Sequence, residues 1–252
     1  MIKTFKRAHH KRVAQVLYAL DGALLRECHC LFGGGTVIAL YNDEYRESVD
    51  IDFLVSNLAG YRNLRQILNG PQGIAAIVRT DSTPLRQARE IRADQYGIRT
   101  VLLVAEQPIK FEIVLEGRID LVTPGAQDVV CGIATLTPLD MIASKLLANS
   151  DRWGDDSVFS RDLIDLAMMA PTLGLFRQAV WKAEQAYGKS ILQDLQKAIH
   201  RIQQRVGWLE RCMHVLSIDL PSALLWQRIR SLKRLNQRVI GSQGNLPGSV
   251  DG

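Results

Sequence analysis

A glycine triplet followed by two carboxylates in an apolar run is the feature that most constrains this chain. Residues 33–35 are all glycine, and Asp50 and Asp52 interrupt the apolar residues between Val49 and Val55. The run predicts a buried strand at Asp50–Val55, and a strand places residues two apart on one face, about 6–7 Å from each other. Two carboxylates held so close are costly unless a cation neutralises them. The pattern therefore predicts a divalent-metal site at Asp50 and Asp52.

The glycines predict a phosphate site beside these acids. A strand at Cys28–Phe32 is expected to lead into the glycine turn, and a helix at Thr36–Leu40 to leave it. Glycine lets a phosphate approach backbone N–H groups, and a helix N-terminus favours anions. We therefore expect Gly34, Gly35 and Thr36 to meet the β- and γ-phosphates of a nucleotide.

The phosphate site is expected to include two further residues that precede the strand. Arg46 and Ser48 are placed to reach phosphate oxygens, and no histidine neighbours Ser48 in sequence to make it a nucleophile. Structural alternatives remain open: the glycines as a simple turn, the acids as a solvated strand edge or cap, and Arg46 as a surface charge.

Composition narrows the class of protein. The chain has 252 residues, 47% hydrophobic and 23% charged, which is typical of one large or two modest globular domains. No apolar run reaches the roughly 18–20 residues of a bilayer span, so we expect a cytoplasmic protein without membrane association. Cys28, His29 and Cys30 lack a second ligand pair, which argues against a zinc site.

Basic residues are concentrated near both ends of the chain. The net charge is +5 and the pI is 9.1, which permits an anionic partner without requiring one. The two clusters are Lys3, Lys6, Arg7, Lys11 and Arg12 near the N-terminus, and Arg228, Arg230, Lys233, Arg234 and Arg238 near the C-terminus.

The periodicity of apolar residues predicts strands mainly in the first half and helices in the second. The expected helices and further strands are helices at 8–25, 61–68, 175–187, 190–206 and 223–239, and strands at 88–95, 98–105 and 109–115. Short connections between these three strands predict antiparallel neighbours. Glu112 interrupts the last strand as the two aspartates interrupt the earlier one, although Lys110 on the same face also fits an exposed strand.

Two predicted helices of the second half carry further charged candidates. Thr137 and Pro138 form a good helix start, and Lys145 lies near the boundary of the buried stripe of that helix. Asp162 and Asp165 lie three residues apart on one face of the next helix. Lys145 taken alone is a snorkelling helix lysine, and the two acids taken alone cap a helix.

Taken together, these motifs resemble the AbiEii/AbiGii-type nucleotidyltransferases, which supply the toxins of several bacterial toxin–antitoxin systems. The matching elements span about residues 30–170: Gly34-Gly35-Thr36 with Arg46-x-Ser48-x-Asp50-x-Asp52, Lys110-Phe111-Glu112, Lys145, and Arg161-Asp162-x-x-Asp165. The resemblance implies an α+β fold, with a DNA-polymerase-β-like core built on a mixed or antiparallel sheet and a helical C-terminal domain. The expected domains are residues 1–125 and 126–240, followed by a flexible tail at 241–252.

The residues and the resemblance together predict a Mg²⁺-dependent nucleotidyltransferase. Asp50, Asp52 and Glu112 are expected to bind two Mg²⁺ ions, with Glu112 as an alternative acceptor of the hydroxyl proton. The resemblance implies that Lys145 reaches the triphosphate or base. Asp162 is then expected in catalysis and Asp165 in nucleotide binding, where both could orient Lys145 or Arg161.

Three functions compete for this chain. The first is transfer of a nucleotide from an NTP to RNA, for which the resemblance implies tRNA ends, by a toxin with a possible antitoxin partner. The second is transfer to a small hydroxylated molecule such as an antibiotic. The third is a nucleotide-binding module without turnover, which the presence of all three acids disfavours.

Overall fold

The computed structural model describes residues 5–243, which divide into two compact units that meet between Met141 and Ile142. The sequence placed this boundary earlier, at 125/126. The first unit contains α1 (Ala8–Ala19), α2 (Gly22–Glu27), β1 (Leu31–Gly33), α3 (Gly34–Tyr41), β2 (Ile51–Val55), α4 (Leu58–Leu68), β3 (Arg86–Gln87), β4 (Arg92–Ala93), β5 (Gly97–Val104), β6 (Gln107–Leu115), β7 (Val129–Val130) and β8 (Ile133–Ala134). Helix α5 (Pro138–Arg152) begins in the first unit, and the second adds α6 (Arg161–Met169), α7 (Leu173–Tyr187), α8 (Ser190–Gln204), α9 (Trp208–Val215) and α10 (Ser222–Gln243).

A mixed sheet forms the centre of the first unit. Its strand order is β1-β2-β6-β5-β3, with β4 also paired to β5. Strands β2 and β6 are parallel, and the other pairs are antiparallel. The predicted antiparallel pairing of the last two long strands is confirmed. The parallel pair needs a long crossover, which α4 and the strands β3–β5 supply.

Alternation along β2 and β6 gives the sheet one apolar and one polar face. Phe32, Phe53 and Phe111 lie on the apolar face, with ring centroids 5.7 and 5.6 Å apart in successive pairs. Asp52 and Glu112 point to the other face and are half-buried. The sequence predicted a strand buried throughout, whereas only one face is buried. Val49, expected inside, is 43% exposed and precedes the strand.

Several predicted boundaries in the first unit were wrong for local reasons. The single helix predicted at 8–25 is two helices, because the carboxylate of Asp21 accepts hydrogen bonds from the N–H groups of Ala23 and Leu24 and starts α2. Of the strand predicted at 88–95, only the two residues of β4 are a strand, and β3 lies just before that range. The strand predicted at 28–32 is Leu31–Gly33. Ala105 and Glu106 both have positive φ, 49° and 60°, which suits a two-residue hairpin turn between β5 and β6.

The second unit is helical, as predicted, and its core is mainly aliphatic, with Phe176 and Trp208 also buried. Helix α9 was missed, because its short run offers little periodicity. The tail predicted at 241–252 begins inside α10, and its residues 244–252, like Lys3 of the N-terminal cluster, lie outside the described part of the chain. No helix within residues 5–243 is long and apolar enough to cross a bilayer.

Candidate active site

The parallel pairing of β2 and β6 brings two of the predicted acids side by side. Asp52 lies opposite Glu112 in the register, and Gly33 of β1 lies opposite Asp52 on its other side. Residues directly opposite each other in a sheet share a face. Asp50, two residues before Asp52, lies immediately before β2 rather than within it.

Gly34 lies against the side chain of Asp52. Its φ of +70° belongs to the left-handed region, and a Cβ atom there would lie 2.9 Å from the Cβ of Asp52. Both facts require glycine at this position. The glycine therefore allows the Asp52 carboxylate to lie beside the first turn of α3, where the helix dipole favours negative charge.

Thr36 and Ser48 fix the backbone that carries Asp50. Because a carbonyl only accepts, the fully buried hydroxyl of Thr36 donates to the carbonyl of Asp50 at 2.5 Å. The Ser48 hydroxyl, at 2.9 Å from that of Thr36, then acts as the donor to it. The hydroxyl of Thr36 is thus committed inside the protein, which corrects the expectation that it meets a phosphate. Its backbone N–H still lies in the first turn of α3.

Glu112 is engaged by two cations. Its Oε1 accepts from Nε of Arg99 at 2.6 Å, and its Oε2 accepts from Nζ of Lys110 at 2.5 Å. Burial by itself would raise the pKa of Glu112, but the bonds from Lys110 and Arg99 outweigh it and hold this pKa below its usual range. Glu112 is therefore a weak proton acceptor in this arrangement.

The structure does not assemble the three-carboxylate ligand group that the sequence predicted. Within residues 5–243, no three His, Cys, Asp or Glu side chains form a group that could hold a metal ion. Glu112 is paired with Arg99 and Lys110 instead. Asp50 and Asp52 are the other two predicted acids with metal-ligand chemistry, and both are half-buried.

The ammonium of Lys110 interacts electrostatically with all three predicted acids. Burial would lower its pKa, but the bond to Glu112 and the charges of Asp52 and Asp50 raise it above the usual lysine value. All three acids therefore act on one position, which a cation already occupies. An opposite charge this close favours the charged form of each partner.

Arg46 is a buried side chain rather than a surface charge. It is only 2% exposed. Its Nη1 donates to the carbonyl of Glu47 at 2.9 Å, and its Nε donates to the hydroxyl of Tyr45 at 3.3 Å. The guanidinium therefore braces the segment that leads to β2, and its expected contact with a phosphate stays a prediction.

The second unit holds a buried ion network at its predicted site residues. Nζ of Lys145 lies 2.9 Å from a carboxylate oxygen of Asp162 and 2.7 Å from one of Asp165. Arg152 adds a two-point bond to Asp162, at 2.6 and 3.0 Å. Burial would raise the pKa of Asp162, but Lys145 and Arg152 hold it far below its usual range. Of the open alternatives, the acids orient Lys145, while Arg161 has no part in these bonds.

Sequence reasoning missed Arg99 and Arg152. Arg99 meets Glu112 only through the β5–β6 register, which the sequence does not give. Arg152 lies seven residues after Lys145, two helical turns further on the same face of α5, so this spacing was a usable signal.

Comparisons with known proteins agree with this fold. Two solved structures from Helicobacter pylori resemble the chain. One is a candidate nucleotidyltransferase, with 17% identity, a TM-score of 0.51 and coverage of 96% of this chain and 97% of that one. The other is JHP933, with 15% identity, a TM-score of 0.53 and coverage of 94% of this chain and 93% of that one. At such identities they support a nucleotidyltransferase fold alone. None of the curated proteins that were compared matches the chain.

A match to a protein-family model shows which class of protein this chain belongs to. The model of the AbiEii nucleotidyl transferase toxins of type IV toxin–antitoxin systems matches residues 15–228. The chain belongs to this family and is a nucleotidyltransferase, as its motifs predicted. The α+β fold with a mixed sheet and a helical second part is likewise confirmed.

Proposed function

We propose that this chain is a toxin that transfers a nucleotide from a magnesium-bound NTP to an RNA acceptor. The observation that carries the proposal is the position of Asp52, which lies opposite Glu112 in the sheet and against the first turn of α3. A carboxylate can bind a metal ion, and a helix N-terminus favours phosphate groups, so the two together suit a metal–triphosphate complex.

Asp50 and Asp52 fit Mg²⁺ by their donor chemistry. Both are half-buried carboxylates, and both act on the same cation, Lys110. Mg²⁺ is commonly held by one or two protein carboxylates together with waters and substrate phosphates, so a complete protein ligand set is unnecessary. Bound there, Mg²⁺ would neutralise the triphosphate and lower the pKa of the acceptor hydroxyl.

The other residues position the reactants. The N–H groups of Gly34, Gly35 and Thr36 would hold the phosphates at the start of α3. The acceptor oxygen attacks the α-phosphorus, the bond to the leaving pyrophosphate breaks, and the hydroxyl proton passes to solvent. Since Glu112 is paired with Arg99 and Lys110, we assign it to fixing these cations beside the site rather than to accepting the proton.

The ion network of the second unit holds the ammonium of one lysine in place between two carboxylates. We propose that Lys145 serves the nucleotide, with Asp162 and Asp165 positioning its ammonium. A lysine with two carboxylate partners cannot change rotamer without breaking ion pairs, so its position is set before substrate arrives.

A basic stripe on α10 supports a polyanionic acceptor. Arg230, Arg234 and Arg238 recur every four residues, share one face and are exposed. Such a stripe attracts a phosphate backbone. A cationic antibiotic is disfavoured by Arg99 and Lys110 beside the acids. The family further suggests an antitoxin that opposes the activity in the cell.

The test is incubation with each radiolabelled NTP and Mg²⁺ against total RNA, total protein and the enzyme alone. Label in RNA supports the proposal, and label only in protein or a small molecule contradicts the acceptor. Asp52→Asn keeps the size of the side chain and removes its charge, so it should abolish transfer and leave the fold intact. Equal transfer by this variant would overturn the metal site.

A further inference from the structure

Two consecutive histidines of α1 bind the backbone directly before Asp50. The N–H of Ser48 donates to Nε2 of His10 at 3.2 Å, and Nε2 of His9 lies 2.9 Å from the carbonyl of Val49. His10 is fully buried and His9 is 8% exposed. Neither residue was singled out by the sequence, because 40 or so residues separate them from the segment they hold.

The partners of the two rings determine their protons. A carbonyl only accepts, so Nε2 of His9 carries hydrogen and donates to Val49, while Nδ1 of His9 accepts from Arg12 at 3.1 Å. A backbone N–H only donates, so Nε2 of His10 is bare and Nδ1 donates to Glu44 at 2.9 Å. The two neutral rings therefore have opposite tautomers, one accepting from the segment and one donating to it.

Glu44, which accepts the hydrogen bond from His10, is itself held by further hydrogen bonds. The carboxylate of Glu44 also accepts from the N–H groups of Lys6 and Arg7, at 2.7 and 3.0 Å, at the start of α1. Glu44 has a φ of +56°, a costly conformation that must be held by its surroundings. The hydrogen bonds of α1 thus run through His10 to Ser48.

From Ser48 the contacts continue to the acid. The Ser48 hydroxyl donates to Thr36, and the hydroxyl of Thr36 donates to the carbonyl of Asp50. We propose that His9 and His10 are positioning residues for the transfer reaction, which fix the backbone of residues 48–50 and thereby aim Asp50. The inference rests on the proposed role of Asp50 as a metal ligand.

Matched variants of His9 separate this role from simple packing. In His9→Gln the amide nitrogen reaches the position of Nε2 and can still donate to Val49. In His9→Asn the shorter amide reaches only the position of Nδ1, so the bond to Val49 is lost. His29→Asn is a control, because His29 is exposed and its φ of 52° suits asparagine.

We expect His9→Asn to lower kcat about 10-fold and to raise the Mg²⁺ concentration for half-maximal rate. For His9→Gln and His29→Asn we expect both kcat and the Mg²⁺ concentration for half-maximal rate to stay within about twofold of the values of the parent protein. Hydrogen exchange of the metal-free proteins is the second readout. It should speed up in residues 45–52 for His9→Asn alone, with no change in residues 128–135 of the β7–β8 hairpin.

Equal kcat and equal exchange for the asparagine and glutamine variants would overturn the proposal. If the parent protein transfers no nucleotide, the proposed function fails, while exchange still decides whether the histidines hold the segment. If His9→Asn does not fold, Arg12→Met replaces it. That variant frees Nδ1 of His9 and should give the same pattern more weakly, and unchanged kcat and exchange would then overturn the proposal.

Discussion

Replacement of Gly34 by alanine tests the contact on which the site depends. An L-residue at its φ of +70° costs about 1–2 kcal/mol. The new Cβ would also lie 2.9 Å from the Cβ of Asp52, well inside the usual 3.5–4.0 Å for two carbons. Relieving such an overlap costs about 1–3 kcal/mol. The expected loss in free energy of unfolding is therefore about 2–5 kcal/mol.

Gly132→Ala is the matched control for this prediction. Gly132 has a φ of +82° in the β7–β8 turn of the same unit, and a Cβ there meets nothing within 4 Å. Only the backbone cost of about 1–2 kcal/mol applies to it. The entropy that alanine removes from the unfolded chain is the same in both variants, so their difference isolates the contact with Asp52.

Two assays follow from this comparison. Denaturation followed by far-ultraviolet circular dichroism should show Gly34→Ala less stable than Gly132→Ala by about 1–3 kcal/mol. Nucleotide transfer, measured where both variants are folded, should fall at least about 10-fold further in Gly34→Ala, because the overlap displaces Asp52. Equal stability and equal transfer in the two variants would refute the packing of Gly34 against Asp52.

Three further predictions concern the second unit. Asp162→Ala should cost about 3–5 kcal/mol of unfolding free energy, since it removes the carboxylate that pairs with Arg152 and one of the two that pair with the buried Lys145, and a smaller loss in denaturation would contradict the network. Since the folded pKa of Asp162 is depressed, its stabilisation is present above the unfolded value of about 3.9 and is lost as pH falls below it. Asp162→Asn should therefore flatten the acid side of the stability–pH curve, and an unchanged curve would rule this linkage out. Replacing Arg230 and Arg234 by glutamine should raise the KM for RNA and weaken its salt dependence, with no change in the KM for NTP. The same change at Arg62 and Arg65 of α4, which are also exposed, should leave the KM for RNA unchanged. Equal effects of the two pairs would show that the α10 stripe does not bind the acceptor.

The motifs were readable because each depends on short-range rules. The aspartates two residues apart in an apolar run predicted a strand with both acids on one side. The strand β2 is present and carries Asp52, while Asp50 lies immediately before it. The pair Thr137 and Pro138 predicted the start of α5 for equally local reasons, namely an available cap and a fixed φ.

The predictions that failed depended on burial and on breaks in periodicity. Val49 was placed inside because it is apolar, yet burial follows from which face meets a neighbour. The helix at 8–25 was drawn through Asp21 because its apolar spacing continues, although the carboxylate caps a new helix there.

The sequence by itself determined the family, the class of fold and the acids on which the proposed chemistry depends, since these follow from local spacing along the chain. The tertiary structure alone decided the partners of those acids. The β5–β6 register gives Glu112 to Arg99, and the packing of α1 places His9 and His10 on the segment before Asp50. Contacts between residues tens of positions apart depend on register and packing of whole elements, which no local pattern encodes.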